Sequence, residues 1–563
     1  MDYKQYCQQS ISNLGGTDGL GRKIPQYGEV PDRRTDRFVG LFYFLWLGQH
    51  STEGPYDITK ILEEEPNAVK DAQHPLWGPM KEFHFWGEPL YDYYLADDAW
   101  VLRKHVQLLT NAGIDFLVFD TTNSGIYKKV YDNLFAILDE VRIQGWQVPK
   151  FVFYTNTDTG DRIQQIYDDI YKPGRYKELW FNWEEKPLII GDPEQCSDEI
   201  KEFFTFRLNQ WPNEDQKHGG FPWIDFVRPQ RVFSDLNGNP EVINVSVAQH
   251  PSVVLSDTPF YEYGGNWGRN YHDNKNDQSK DAINWGYNFQ EQWEFALQQD
   301  PKIIFITGWN EWIAMRFEGP PERPVQFIDQ ATLEFSRDIE PSKNGYKDHY
   351  YMQMIAQIRR FKGLSAPLKN KDRFTINIHE PFSQWEKVEN SYLDFTNDIS
   401  ERNHPGYGGV KYVNNTGRND IKLMKITRDD DSLYFYVQTA NKLTAYTDSN
   451  WMMLLLKTTE GQQDTWEGYD YMLNRRIIDK SVTVLEKSTG GWNWEDVGRV
   501  SYLAEGNELQ LAVPLKMLNL DGTKPLKFEF KWVDNLQDEG DIMGFYLNGD
   551  VAPKGRLTYL YEE

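Results

Sequence analysis

Between residues 38 and 307, short apolar runs alternate with stretches whose apolar positions recur every three to four residues. The runs at 38–45, 114–120, 151–154, 187–190, 224–227, 242–248 and 302–307 read as strands buried on both faces. The intervening stretches read as amphipathic helices. The clearest spans 99–112, opened by Asp97 and Asp98 and closed by Gly113. A second spans 131–145, and a last one falls within 342–370. Alternating strands and helices predict a parallel sheet with helices outside it. Seven or eight strands favour a closed (β/α)8 TIM-type barrel over residues 1–370, with an open sheet as the alternative. Beyond Phe374 the apolar period shortens to two, in runs at 433–437, 452–456, 509–513 and 526–532. Turn-rich stretches at 414–417 and 488–491 separate them. Residues 371–563 are therefore expected to form a smaller all-β antiparallel sandwich.

Barrel sites are built where strands end, so the residues just after each run are the candidate chemistry. The richest such place is Gly308-Trp309-Asn310-Glu311-Trp312, after the last apolar run. Indoles stack on sugar rings, an amide bonds hydroxyls, and a carboxyl group gives or takes a proton. Glycoside hydrolysis needs two carboxyl groups around an oxocarbenium-like transition state. Glu311 and Asp120 are the catalytic candidates, with Glu318 a third carboxylate. Asn310, Trp312, Tyr154, Asn156, His250 and Trp46 are the expected sugar contacts. The glycine-rich loop 264–270 adds Trp267 and Arg269 and reads as a lid or as an ordinary surface loop. Asp120 also reads as a structural Asp bonding a neighbouring N–H, and His250 as a satisfied strand-end group. Arg228, Arg231, Arg269 and Arg316 suit an acidic sugar, though pairing with the 85 acidic side chains is the simpler reading. His50, His84, His250 and His272 show no metal-ligand spacing, and no cofactor is expected. Asp534, Asp538 and Asp541 offer hard oxygen ligands suited to calcium, set against a plain solvated loop.

The composition narrows the partners. Aromatics make up 15% of the 563 residues, with 20 Trp, which suits carbohydrate recognition as well as large cores. A net charge of −25 without a basic stripe argues against nucleic acid. There is no apolar run long enough to span a membrane. The two cysteines, Cys7 and Cys196, make no metal pattern and are read as either bridged or not. The N-terminal residues lack the pattern of a signal peptide, which fits a cytoplasmic chain or one whose signal has been removed.

Residues 101–120 and 306–312 resemble the barrel glycoside hydrolases related to families 71 and 99, a likeness covering roughly residues 35–360. The resemblance implies a glycosidase acting on an oligosaccharide or polysaccharide, exported by a bacterium to the periplasm, cell surface or medium. Family 99 enzymes act on α-mannosides and carry a second catalytic Glu three residues after the first. Glu311 matches the first, but Ala314 stands at the second, so another residue must supply that carboxyl. Residues 468–475 and 549–553 resemble family 9 carbohydrate-binding modules, many of which bind glycans. Two other readings stay open: a polysaccharide lyase using His250 or Tyr154 as base, and a non-catalytic glycan-binding protein, for which Ala314 is the support.

Overall fold

In a computed structural model of the chain, residues 3–123, 125–367, 369–370, 373–458 and 464–563 are described. Eight parallel strands surround the main core. They are β1 (Phe38–Tyr43), β2 (Phe116–Thr121), β3 (Lys150–Thr155), β4 (Lys186–Ile190), β5 (Thr205–Gln210), β6 (Gly220–Pro222), β7 (Pro240–Ser246) and β8 (Ile303–Thr307). Parallel ladders join β1 to β6 in order, and β7 pairs with β8, which pairs with β1. Between β6 and β7 a side chain replaces the ladder. The Asn244 amide donates to the Trp223 carbonyl at 3.2 Å and accepts from the Asp225 N–H at 3.3 Å. The sheet is thus a nearly closed barrel.

Helices α1 (Ala99–Ala112), α2 (Lys128–Ile143), α3 (Thr159–Ile166) and α4 (Asp198–Phe203) connect the first five strands. Helix α5 (Tyr287–Gln299) precedes β8 and α6 (His349–Lys362) follows it. No helix connects β5 to β6 or β6 to β7, so the expected full (β/α)8 alternation is incomplete. Helix α1 follows its sequence signals closely. Asp98 caps it by accepting from the Trp100 N–H, and Gly113 ends it at φ 80° in the left-handed region.

Two strand expectations are corrected. Residues 224–227 form a loop, because Asp225 turns inward to pair with Arg231 at 2.9 Å. The strand at that place is β6, which ends five residues earlier and is very short. Strand β5 was hidden because it carries charge inside the fold: Arg207, 2% exposed, pairs with Glu241 at 2.6 Å and Glu184 at 2.9 Å.

Aromatic rings fill the barrel. Phe42 meets Tyr154 and Phe305, each at 5.9 Å between centroids, and Phe221 meets Phe305 at 5.0 Å. Gly40 lies against this packing. A Cβ there would stand 2.5 Å from two carbons of the Phe116 ring and 3.1 Å from Phe305. Gly40→Ala is therefore expected to destabilise the chain by about 1–3 kcal/mol through overpacking. Urea denaturation checks this, and an unchanged midpoint would refute it.

The largest of the other sheets is one antiparallel path. It begins at Leu14–Gly16 and passes through Leu557–Glu562, Lys527–Asp534, Met453–Lys457, Tyr471–Asp479, Val482–Ser488, Trp494–Glu505, Glu508–Pro514, Ser432–Thr439 and Ile421–Arg428 to Tyr392–Leu393. The sheet curls over on itself. Phe435 and Phe528 lie far apart along the path yet sit 6.2 Å apart, and Tyr392 meets Phe530 at 4.9 Å. The expected two-sheet sandwich is thus realised as a single folded sheet. It is tied to the barrel by Arg402, which pairs with Asp98 at 2.8 Å, and by Arg556, which pairs with Asp348 at 2.9 Å.

Asp534, Asp538 and Asp541 do not form a ligand set among the described residues. Asp534 pairs with Arg418 at 2.9 Å, Asp538 accepts from the Asn548 amide, and Asp541 accepts from the Met543 N–H. Cys7 and Cys196 form no disulfide. No helix among the described residues is long and apolar enough to cross a membrane.

Candidate active site

Strand β8 delivers the chain to Gly308, and the next residues lock onto their neighbours. The Asn310 amide accepts from the Phe44 N–H at 2.9 Å and donates to the Phe44 carbonyl at 3.0 Å. This fixes the end of β1 beside the end of β8. The Glu311 N–H donates to the Asp338 carboxylate at 2.5 Å, and the Trp86 indole holds the other Asp338 oxygen at 2.8 Å. The Glu311 side chain is oriented through Oε2 alone. That oxygen accepts from Gln330 at 2.7 Å and from the fully buried Arg337 at 2.8 Å. Arg337 in turn lies over the Trp223 ring, 5.2 Å from its centroid.

Glu311 lines a cavity of about 590 Å³ at the carboxyl ends of the barrel strands. Its other acidic lining residues are Asp120, Asp329 and Glu82. Trp46, Trp211, Trp223, Phe42, Phe44, Phe83 and Phe317 supply apolar wall. Part of that wall comes from outside the barrel: strand Ile313–Glu318 pairs with Val325–Phe327 and with Phe83–Phe85. Ala314 is buried on this strand opposite His84 and is not among the cavity-lining residues.

Burial pushes the Glu311 carboxyl well above the usual range, Arg337 opposes this, and Asp329 and Asp338 add to it. Burial also pushes Asp338 up to about 7. Asp120 is raised by burial, with the two Thr122 hydrogen bonds pulling the other way. Its Oδ1 accepts from the Thr122 N–H at 3.1 Å and hydroxyl at 2.7 Å, and its Oδ2 from the Trp46 indole at 3.1 Å. Asp329 differs. It stands 3.9 Å from Arg337, and 47% of its side chain remains open to solvent in the cavity. The surrounding protein nonetheless raises it, against the pull of Arg337.

Of the residues expected from sequence, the cavity gathers Glu311, Asp120 and Trp46. The others are not among its lining residues. Trp312 stacks on Trp86 at 4.4 Å and donates to Glu340 at 2.5 Å. Tyr154 lies inside the barrel and donates to the Phe221 carbonyl at 2.9 Å. Asn156 accepts from the Trp211 indole at 2.9 Å and so positions a cavity wall from behind. His250 faces Arg337 at 3.4 Å, and burial holds its pKa down at about 3. Trp267 is stacked by Arg228, with 5.1 Å from guanidinium to centroid. Its backbone pairs with Gln249 through two 2.9 Å hydrogen bonds, which pins the supposed lid. Arg269 is fully buried between Tyr346 and Tyr350 and bonds Ser336 and the Asp338 carbonyl. Arg228 pairs with Glu291, Arg231 with Asp225, and Arg316 bonds the carbonyls of Ala72 and Gly78, so none is offered to an acidic sugar.

Asn310 has thereby acquired a structural role with a measurable consequence. Asn310→Ala removes both partners of a buried peptide group and is expected to cost about 1–3 kcal/mol. Chemical denaturation measures it; stability equal to wild type would show that water or a neighbour replaces the amide.

Sequence reading missed Asp329, Gln330, Arg337, Trp211 and Trp223. The two tryptophans directly follow β5 and β6, the strands that carried no clear apolar run. Asp329 and Arg337 lie in the chain beyond the hairpin, with no strand of the barrel to announce them.

No protein-family model matches the sequence, and no curated protein is similar to it. Among solved structures, the chain is similar to a GH99 endo-α-mannosidase from Bacteroides thetaiotaomicron at 15% identity and a TM-score of 0.37. It is also similar to that type of enzyme, from the same organism, in complex with BIS-TRIS-propane, at 15% identity and a TM-score of 0.35. Each covers 58% of this chain and 97% of that chain.

Proposed function

We propose that the chain hydrolyses a glycosidic bond in a glycan bound at the end of the barrel. The observation that carries this reading is the meeting of Glu311, Asp120 and Asp329 in one tryptophan-walled cavity. Glu311 is the general acid. Burial raises its pKa, as a general acid needs, Gln330 and Arg337 fix one oxygen, and the other is left to the leaving group. Asp329 is the second carboxyl, acting on water or on the sugar from its open position. Asp120 holds the Trp46 indole edge-on, so that the ring's face serves the sugar. Trp211 and Trp223 offer further apolar faces.

The lyase reading is less well supported, since it needs a cation to neutralise a uronate. Lys81 is the lone Lys or Arg among the described lining residues. The test is incubation of the wild-type chain with plant, host and microbial glycans, α-mannans included, with products read by mass. Fragments carrying one added water support the hydrolase. Cleavage without added water would replace it with a lyase, and retention of glycan without any turnover would replace it with a binding protein.

A further inference from the structure

A second group of carboxylates lies far from the cavity, where helix α1 meets the antiparallel sheet. Asp394 and Asp398 follow the short strand Tyr392–Leu393, and Asp550 opens the strand Asp550–Ala552. All three are at most 2% exposed. One oxygen from each comes within 4.8 Å of the others. Oxygens sharing a calcium ion at 2.3–2.6 Å can be at most about 5 Å apart, so this spacing suits a single ion.

Unpartnered oxygens point the same way. Lys554 contacts Asp398 at 3.1 Å, the one ammonium that pairs with these carboxylates among the described residues. Lys104 and Lys531 donate instead to backbone carbonyls, of Asp398 and of Pro553 and Gly555 respectively. Lys554, Lys104 and Lys531 all act on these carboxylates through space, and among the described residues Lys554 alone reaches one in an ion pair. Oδ2 of Asp394 and Oδ1 of Asp550 have no hydrogen-bond partner among the described residues. An independent side chain faces the same place. Gln107 of α1, 1% exposed, lies beside Asp398, and its amide oxygen has no hydrogen-bond partner.

We infer that Asp394, Asp398 and Asp550 bind one calcium ion, with the Gln107 amide oxygen as a further ligand, and that this ion locks α1 to the antiparallel sheet. Calcium fits better than magnesium. The ligands are all protein oxygens in a buried place, whereas magnesium keeps several of its waters.

The full-length chain, stripped with EGTA and dialysed, tests this with calcium chloride and magnesium chloride as probes. Titration calorimetry and elemental analysis are expected to give one calcium per chain, and millimolar calcium to raise the melting temperature. Asp394→Asn and Asp550→Asn each remove one charged ligand and are expected to weaken calcium binding about tenfold or more. Gln107→Leu, which leaves the carboxylates in place, is expected to weaken it less. If wild type binds neither ion and melts at the same temperature with and without calcium, the inference is overturned. Magnesium binding without calcium binding would also overturn it. Should the Asn variants fail to fold, the wild-type titration and Gln107→Leu decide the matter.

Discussion

Glu311→Gln is expected to lower turnover about 10²–10⁴-fold, the usual loss when a positioned acid is removed. The amide keeps the size of the carboxyl and can still accept from Gln330 and Arg337, so the fold should survive. What it cannot do is release a proton to the leaving oxygen. The pH profile supplies a second check. Activity requires the protonated acid, so it is present below the raised pKa of Glu311 and is lost as pH rises through it. Arg337 is the cation that holds that pKa down. Arg337→Met should therefore move the alkaline limb of the kcat profile to higher pH, along with any loss of rate. An unmoved limb in Arg337→Met would show that the limb belongs to another group. Near-wild-type rates in Glu311→Gln would remove Glu311 from the mechanism.

The sequence was most legible where one local signal governed one element. Helix α1 ends where its Asp cap and its glycine say it should, because both act through backbone geometry alone. Strands β1, β2, β3, β4, β7 and β8 were visible because each carries a buried apolar run. Strand β5 was not, since its Arg207 is compensated by Glu241 from a strand distant in the chain, and no local pattern reports such a pairing. Missing β5 and β6 also hid Trp211 and Trp223, which follow them. The motif around Glu311 misled in a different way. Side chains alternate between the two sides of an extended chain. Glu311 faces the cavity, while Asn310 bonds Phe44 and Trp312 bonds Glu340 within the fold. The chemistry-bearing pattern of five residues therefore contributes one residue to the cavity, and the four around it hold that residue in place.

The same logic bears on the second carboxyl, which sequence reading gave to Asp120. Asp120 accepts three hydrogen bonds from Thr122 and Trp46, which commit it to fixing the cavity wall. Asp329 is open to the cavity and touches one cation at 3.9 Å. Asp329→Asn is accordingly expected to cut kcat about 10²–10⁴-fold, as loss of a base or nucleophile does. It should also remove a negative neighbour that raises Glu311. With that neighbour gone, Glu311 ionises at lower pH, and the alkaline limb of the residual activity should move down, opposite to its movement in Arg337→Met. Asp120→Asn has a different expected signature. Its amide N–H₂ would confront the Trp46 indole N–H, turning the ring and raising KM more than it lowers kcat. The reverse result, with kcat lost in Asp120→Asn and kept in Asp329→Asn, would return the second catalytic role to Asp120. Asp329 would then be only a charge that raises the pKa of Glu311.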